Sequence, residues 1–182
     1  ALMQAVQRGD AEEDRSEGHA LNRDPAMRAI QDRFLVYARR DLPLLRLVLR
    51  SSSDAAQRAL AAQVLGYATD KQAVVDDLVR AMTDASEDVR NNAIRTLMVF
   101  ADTVPSVNRP APRIPFEPFI ALLDSPVWSD RNKASGALMA LSAGRDAELL
   151  AKLRKQALMP LVEMARWKSA GHALAAFTIL GR

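Results

Sequence analysis

Cysteine is absent from these 182 residues. That removes disulfides, thiol nucleophiles and thiolate-held metals, but leaves compartment open, because oxidising and reducing locations both tolerate the lack. Aromatic residues make up only 5% of a chain that is 49% hydrophobic, so its core must come from Ala, Leu and Val, which suits closely packed helices. Glycine is sparse at 7 residues, and β-branched runs bounded by turn signals are missing, so strands are not expected. No run of about 18 apolar residues occurs, so no stretch is long enough to cross a membrane as a helix. The chain opens with Ala1 and not Met, which fits either a removed leader or a start inside a longer protein. The expectation is a soluble chain, cytoplasmic or exported after loss of a leader.

What is present is periodic. Residues 74–102 read VVDDLVRAMTDASEDVRNNAIRTLMVFAD. Val74, Val75, Leu78, Val79 and Met82 form one apolar stripe at helical spacing, with Asp76, Asp77 and Arg80 between them. The stripe stops at TDASED, where Thr83, Asp84, Ser86 and Asp88 offer turn and capping oxygens. A second stripe follows in Val89, Ala93, Ile94, Leu97, Met98 and Phe100. Two short helices cannot bury both stripes in each other, so the unit needs neighbours on either side.

The neighbours are there. PLLRLVL (43–49), DLVRAMT (77–83), PFIALLD (118–124) and PLVEMAR (160–166) stack without gaps, which puts Leu44, Leu78, Phe119 and Leu161 in one column and Leu45, Val79, Ile120 and Val162 in another. Second helices carry Ala and Leu four apart: Ala61/Leu65, Ala93/Leu97, Ala134/Leu138 and Ala176/Leu180. Arg58, Arg90 and Arg131 stand three residues before that alanine, and Ala173 breaks the pattern in the fourth copy.

This internal period of helix pairs, with the phrase DASEDVRNNAIRTL at its centre, resembles the HEAT repeat family over about residues 42–182. The resemblance implies an all-α, right-handed superhelix of about four helix pairs, at 42–70, 71–102, 116–144 and 146–182, behind an N-terminal helical cap and acidic linker at 1–41. It also implies that each ladder arginine pairs with an acidic residue of its own or the adjacent turn, for which Asp54, Asp88 and Asp130 are the local candidates. Arrays of this family mostly serve as binding scaffolds, and a fold does not by itself fix a function.

Outside the repeats, residues 1–8 suffice for a short helix, and GDAEEDRSEGHALNRD (9–24) reads as a flexible polar linker. Asp24 followed by Pro25 predicts a helix start, with Met27, Ile30, Phe34, Leu35 and Tyr37 on its apolar side. Residues 103–118 hold five of the nine prolines and predict an extended loop, a connector or a rim that touches a partner. Gly144 suits a helix C-cap, and Pro160 predicts a kink or break in an otherwise continuous helix.

No catalytic constellation emerges. His19 and His172 lie far apart in sequence, and neither has neighbours at metal-ligand spacing; repeated His-Glu pairs, the mark of one HEAT-array hydroxylase class, do not occur. GYATDK (66–71) lacks the spacing of a phosphate loop, and Ser51, Ser52 and Ser53 read as capping chemistry. The adjacent pairs Asp76/Asp77 and Glu12/Glu13 point about 100° apart on a helix and read as solvated faces. No metal, cofactor or enzymatic activity is expected.

Charge is uneven. Residues 1–91 carry 13 Lys/Arg against 15 Asp/Glu, and residues 92–182 carry 12 against 7. The excess gathers in Arg145, Lys152, Arg154, Lys155, Arg166 and Lys168, with Trp128 and Trp167 nearby. A nucleic-acid surface is the alternative reading, because Trp128-Ser129-Asp130-Arg131 is similar to the Trp, Asp and Arg with which HEAT-like DNA glycosylases line a concave face; a net +3 is modest for that role. The preferred reading is a non-enzymatic protein-interaction scaffold, with Asn92, Arg95, Lys133 and Ser135 on its inner face and Arg109 and Arg113 in the proline-rich loop as partner-binding candidates. The last helix carries no Asp, Glu, Lys or Arg between Lys168 and Arg182, which predicts either a longer natural chain or self-association through that helix.

Overall fold

A computed structural model describes residues 12–103 and 111–182 of the chain. The described residues form α1 (Pro25–Arg40), α2 (Leu42–Ser51), α3 (Ala55–Leu65), α4 (Gln72–Ala81), α5 (Glu87–Asp102), α6 (Glu117–Leu122), α7 (Trp128–Leu141), α8 (Ala147–Lys152), α9 (Leu158–Ala165) and α10 (Ala170–Leu180). Two short strands, β1 (Glu13–Asp14) and β2 (Leu21–Asn22), precede them and pair antiparallel.

Helix pairs stack into an all-α solenoid. α2, α4, α6 and α9 form one row, and α3, α5, α7 and α10 form the other. The second row is the closer packed: α3 lies along α5, α5 along α7, and α7 along α10, while the first-row helices touch more sparsely. An array packed more tightly along one row curves toward it, so the second helices are its inner layer. Their alanines make this possible. Ala61, Ala93, Ala134 and Ala176 are all buried, as are Leu65, Leu97 and Leu138 four residues on. Met98 of α5 rests on Gly136 of α7, with its Sδ 3.1 Å from where a Cβ would stand. A single apolar cluster runs from Leu49 through Leu78, Leu97, Phe119, Leu138 and Leu161 to Ile179.

The stacked columns hold in three copies and slip in the first. Leu78, Phe119 and Leu161 are buried, but Leu44 is 58% exposed, and Leu42, Leu45 and Val48 face the core instead. The turn from α2 to α3 spans three residues where α4 to α5 and α6 to α7 each take five, so α2 is set about one residue out of phase. α1 starts as expected, with the Asp24 carboxylate accepting from the N–H groups of Ala26 and Met27 at 3.0 Å. Its inward side carries Gln31 and Ala38 with Phe34, Leu35 and Tyr37 packed beside them, while Ile30 is 45% exposed.

One helix-end expectation needs correction: the left-handed residue after Ser142–Gly144 is Arg145, with φ 53°, and not Gly144. Ahead of Pro160 the α-helix is interrupted by a π-turn at Leu153–Ala157, an irregularity of the kind that kinks helices.

The largest departure lies at residues 12–24. In place of a loose linker, the chain forms a hairpin seated on α1, α3 and α5. Ala20, Leu21, Asn22 and Asp24 are buried. Leu21 joins Ala38, Val64 and Tyr67 in a small apolar cluster, and the Tyr67 hydroxyl donates to the Ala20 carbonyl at 2.8 Å. Few apolar residues mark this segment because its attachment is polar.

Candidate functional site

The outward face of α5 carries Arg95 and Asp102, seven residues and two turns apart on one side of the helix. The hairpin lays two side chains of opposite charge over them. Glu13 accepts from the Arg95 guanidinium, and Arg15 donates to Asp102 at 2.6 Å and back to Glu13 at 3.1 Å. Lys133 of α7 stands beside this chain of charges, half-buried. Burial pushes its amine below the ordinary value; Arg95 and Arg15 add to the depression and Glu13 partly offsets it. Burial also works against a charged Arg15, but Glu13 and Asp102 more than compensate and hold its pKa up. Glu13 is therefore no solvated acid. It neutralises a cationic strip on the inner row.

Beneath the hairpin lies a cavity of about 60 Å³ lined by Ala20, Gln31, Gln63, Tyr67, Asn92 and Thr96 among others. Its floor is fixed by side chains that reach from α5 to α3. The Asn92 amide donates to the Ala59 carbonyl at 2.9 Å, and the Thr96 hydroxyl donates to that of Ala62 at 3.1 Å. Gly66 closes the end of α3, where a Cβ would meet the Thr96 side chain at 3.2 Å. His19 stacks on Tyr67 at 5.8 Å between ring centres.

The structure brings Asn92, Arg95 and Lys133 together but separates the other candidates from them. Ser135 is fully buried and its hydroxyl donates to the Asn132 carbonyl, so it faces the helix interior and offers nothing to a partner. Arg113 is exposed and tied to α4, its backbone N–H donating to Gln72 at 2.8 Å. Arg109 lies outside the described residues. Glu13 and Arg15 were not singled out from the sequence; a charged segment reads the same whether it is solvated or laid against opposite charges.

The arginine ladder takes its acids from the adjacent turn, that of the next repeat, while Arg58 and Arg90 also donate to carbonyls of their own turns. Arg58 grips Asp84 of the next repeat with two bonds of 2.8 Å, and Arg90 reaches Asp130 of the next at 3.0 Å. Asp54 is not Arg58's acid because its carboxylate caps α3, accepting from Ala56 at 2.8 Å. Asp88 is exposed, and Asp130 serves Arg90 and Ser125 in place of Arg131. Arg131 turns to Glu163 at 2.7 Å, and its buried Nε has no hydrogen-bond partner. The copy that follows lacks the acid: His172 stands just before Ala173, where Asp130 stands just before Arg131. The Arg131 guanidinium rests 5.3 Å from the Trp167 ring centre instead. Asp77 also leaves the solvated class, fully buried between Arg46 and Arg50.

The basic cluster around residues 152–155 does not line the inner row. Lys152, Arg154 and Lys155 ride on α8 and the π-turn, outside the row of second helices, and Lys152 is paired with Glu117 at 2.6 Å. Trp128 is half-exposed and packs edge-on against His172 at 4.8 Å. Among the described residues no three His, Asp or Glu side chains gather to hold a metal, and no helix is long and apolar enough to cross a membrane.

With this geometry in hand, comparison with known proteins is direct. Residues 42–109 match the model of a family described as HEAT repeats. No curated protein matches the chain. Among solved structures, the chain is similar to computationally designed armadillo repeat proteins for modular peptide recognition, with a TM-score of 0.58 and 21% identity over 75% of this chain. The match spans 62% of that protein's length. Stacked helix pairs, the match over residues 42–109 and the structural likeness agree on the fold: the chain is an all-α helical-repeat solenoid similar to HEAT and armadillo arrays.

Proposed function

We propose that the protein is a non-enzymatic scaffold that binds another protein along its inner row of second helices. Asn92, Arg95 and Lys133 form the centre of the contact, and Arg109 and Arg113 of the proline-rich segment are further candidates. The observation that carries this reading is the seat of residues 12–24: the face of α5 already accommodates a short segment through paired charges, while Tyr67 beyond α3 holds the Ala20 carbonyl. The designed armadillo proteins to which the chain is similar were made for modular peptide recognition, which supports the reading by analogy of fold. Among the described residues no arrangement of side chains favours catalysis, and Lys152, Arg154 and Lys155 stand outside the inner row, so they lend the nucleic-acid alternative no support there.

A second contact belongs to the same reading. Leu174 and Phe177 of α10 are 57% and 61% exposed, with Leu180 beside them, an apolar face suited to another copy of this chain. The test of the scaffold reading is affinity capture with the intact protein, compared with a chain carrying Arg95→Glu and Lys133→Glu.

A further inference from the structure

We propose that residues 12–24 are a built-in occupant of the partner site, and that the partner is an extended segment of another protein with an acidic residue followed two positions later by a basic one. The proposal rests on the inner-row reading above and names the ligand that the row would take.

The hairpin is suited to leave. Its two strands are two residues each, and an isolated two-stranded hairpin is marginal in water at best. Its contacts include Glu13 to Arg95, Arg15 to Asp102, Tyr67 to Ala20, His19 stacked on Tyr67, the Asn22 N–H to Gln31 at 2.6 Å, and Leu21 in its small apolar cluster. The inner row beneath does not depend on it, although the segment's last residue, Asp24, caps α1. α3 and α5 are joined by Asn92, Thr96 and their shared core, none of which the hairpin supplies.

The hairpin also fits its seat incompletely. The cavity left beneath it is lined by polar groups of Gln31, Gln63, Asn92 and Thr96. A segment with a longer polar side chain at that point would make bonds that the chain's own residues do not.

The recognition pattern follows from strand geometry. Glu13 and Arg15 are two residues apart, so in an extended chain both point to the same side. They meet Arg95 and Asp102, which α5 presents on one face two turns apart. Lifting the hairpin would leave Arg95 and Lys133 without their acid and Asp102 without its base. An incoming acid-x-base segment restores all three. Asp102 also weighs against a phosphate backbone, because a continuous run of negative charge reaching Arg95 and Lys133 would pass beside this carboxylate as well.

The test uses the full chain and a fluorescent synthetic peptide of its own residues 12–24. The peptide is titrated into wild type and into a Glu13→Ala/Arg15→Ala chain, in which the tethered copy no longer competes. A tethered segment acts at a high effective concentration, so the double variant is expected to bind the peptide at least about tenfold more tightly than wild type. Adding Arg95→Glu to the double variant should abolish that binding, while thermal melts show that each chain is folded. Hydrogen exchange supplies a readout without substitution: saturating an isotope-labelled peptide on wild type should raise exchange at residues 12–22. Equal peptide affinity for wild type and double variant, or no binding to either, overturns the proposal, as does unchanged exchange at saturation. An oligonucleotide that binds the double variant more tightly than the peptide, and is lost with Arg95→Glu, overturns it in favour of nucleic acid. If proteins captured by wild type are lost on Arg95→Glu while the peptide binds no form, the inner-row reading stands and the built-in occupant falls.

Discussion

Arg90 of α5 holds Asp130 of α7 across the boundary between two repeats, with Nε 3.0 Å from a carboxylate oxygen whose side chain is only 3% exposed. The same guanidinium donates to the carbonyls of Asp84 and Ala85, so one side chain joins its own turn to the next helix pair. Ser125 supplies Asp130 with a further donor at 2.9 Å. A buried acid this well surrounded becomes costly once its cation is gone. Arg90→Ala should therefore lower stability by about 3 kcal/mol in urea unfolding. Asp130→Asn should cost a similar amount, and the double variant should cost clearly less than the two together. Strictly additive losses would show that the pair is not coupled.

Burial would raise the pKa of Asp77, but Arg50 and Arg46 outweigh it and hold the carboxyl below its ordinary 3.8. Asp84 is held down in the same direction, by Arg58 above all. A carboxylate depressed in the folded state contributes stability that is fully present above its unfolded pKa and lost as pH falls through the folded one. Wild type should lose stability steeply below about pH 4, and Asp77→Asn should flatten that limb while lowering stability at neutral pH. Denaturant melts across the acid range check this; an unchanged acid limb in the variant would assign the loss elsewhere.

These two clusters show what the sequence could and could not reveal. Periodicity and the three arginines point to paired helices, because a core-facing stripe must recur every turn and a ladder must recur every repeat. Direction along the ladder is different. Asp54 and Asp130 both sit near an arginine in sequence, yet one caps α3 and the other serves the repeat before it, and only the packing decides between those uses. Asp77 likewise has the same neighbours in sequence as any exposed helical acid; what buries it is Arg46 and Arg50 arriving from α2. The hairpin was the least visible. Its contacts to α5 lie more than 80 residues away in the chain and are made by charges, which leave no apolar pattern behind. Arg95, Lys133 and Ser135 all belong to second helices in the sequence, but Ser135, two residues from Lys133 and so on the far side of its helix, is buried.

Tyr67 reports on the hairpin. Burial under Ala20 and its neighbours pushes the phenol up to about 12 from an ordinary 10.0, with Arg95 pulling the other way. A group raised in the folded state contributes stability that is complete below its unfolded value and lost as pH rises through the folded one, here between about 10 and 12. Absorbance titration of tyrosinate should show this late transition in wild type. In the Glu13→Ala/Arg15→Ala chain it should move back toward 10.0. An identical titration in both would mean that Tyr67 is buried by something other than the docked hairpin.

The apolar face of α10 predicts self-association. Sedimentation should show a concentration-dependent dimer of wild type, and Phe177→Glu should yield a monomer with an unchanged helical spectrum, since Phe177 is 61% exposed and absent from the core. A wild-type monomer at high concentration would remove the second copy as an occupant of that face.

Affinity capture with matched baits tests the central claim most directly, that the protein works as a scaffold through its inner row. The intact chain and a chain carrying Arg95→Glu and Lys133→Glu are immobilised at equal density, after thermal melts confirm that both are folded, and the retained proteins are identified by mass spectrometry. The account predicts a specific set retained by wild type and lost from the variant, with cross-links from its members falling on α5 and α7. The same set retained equally by both chains would contradict it.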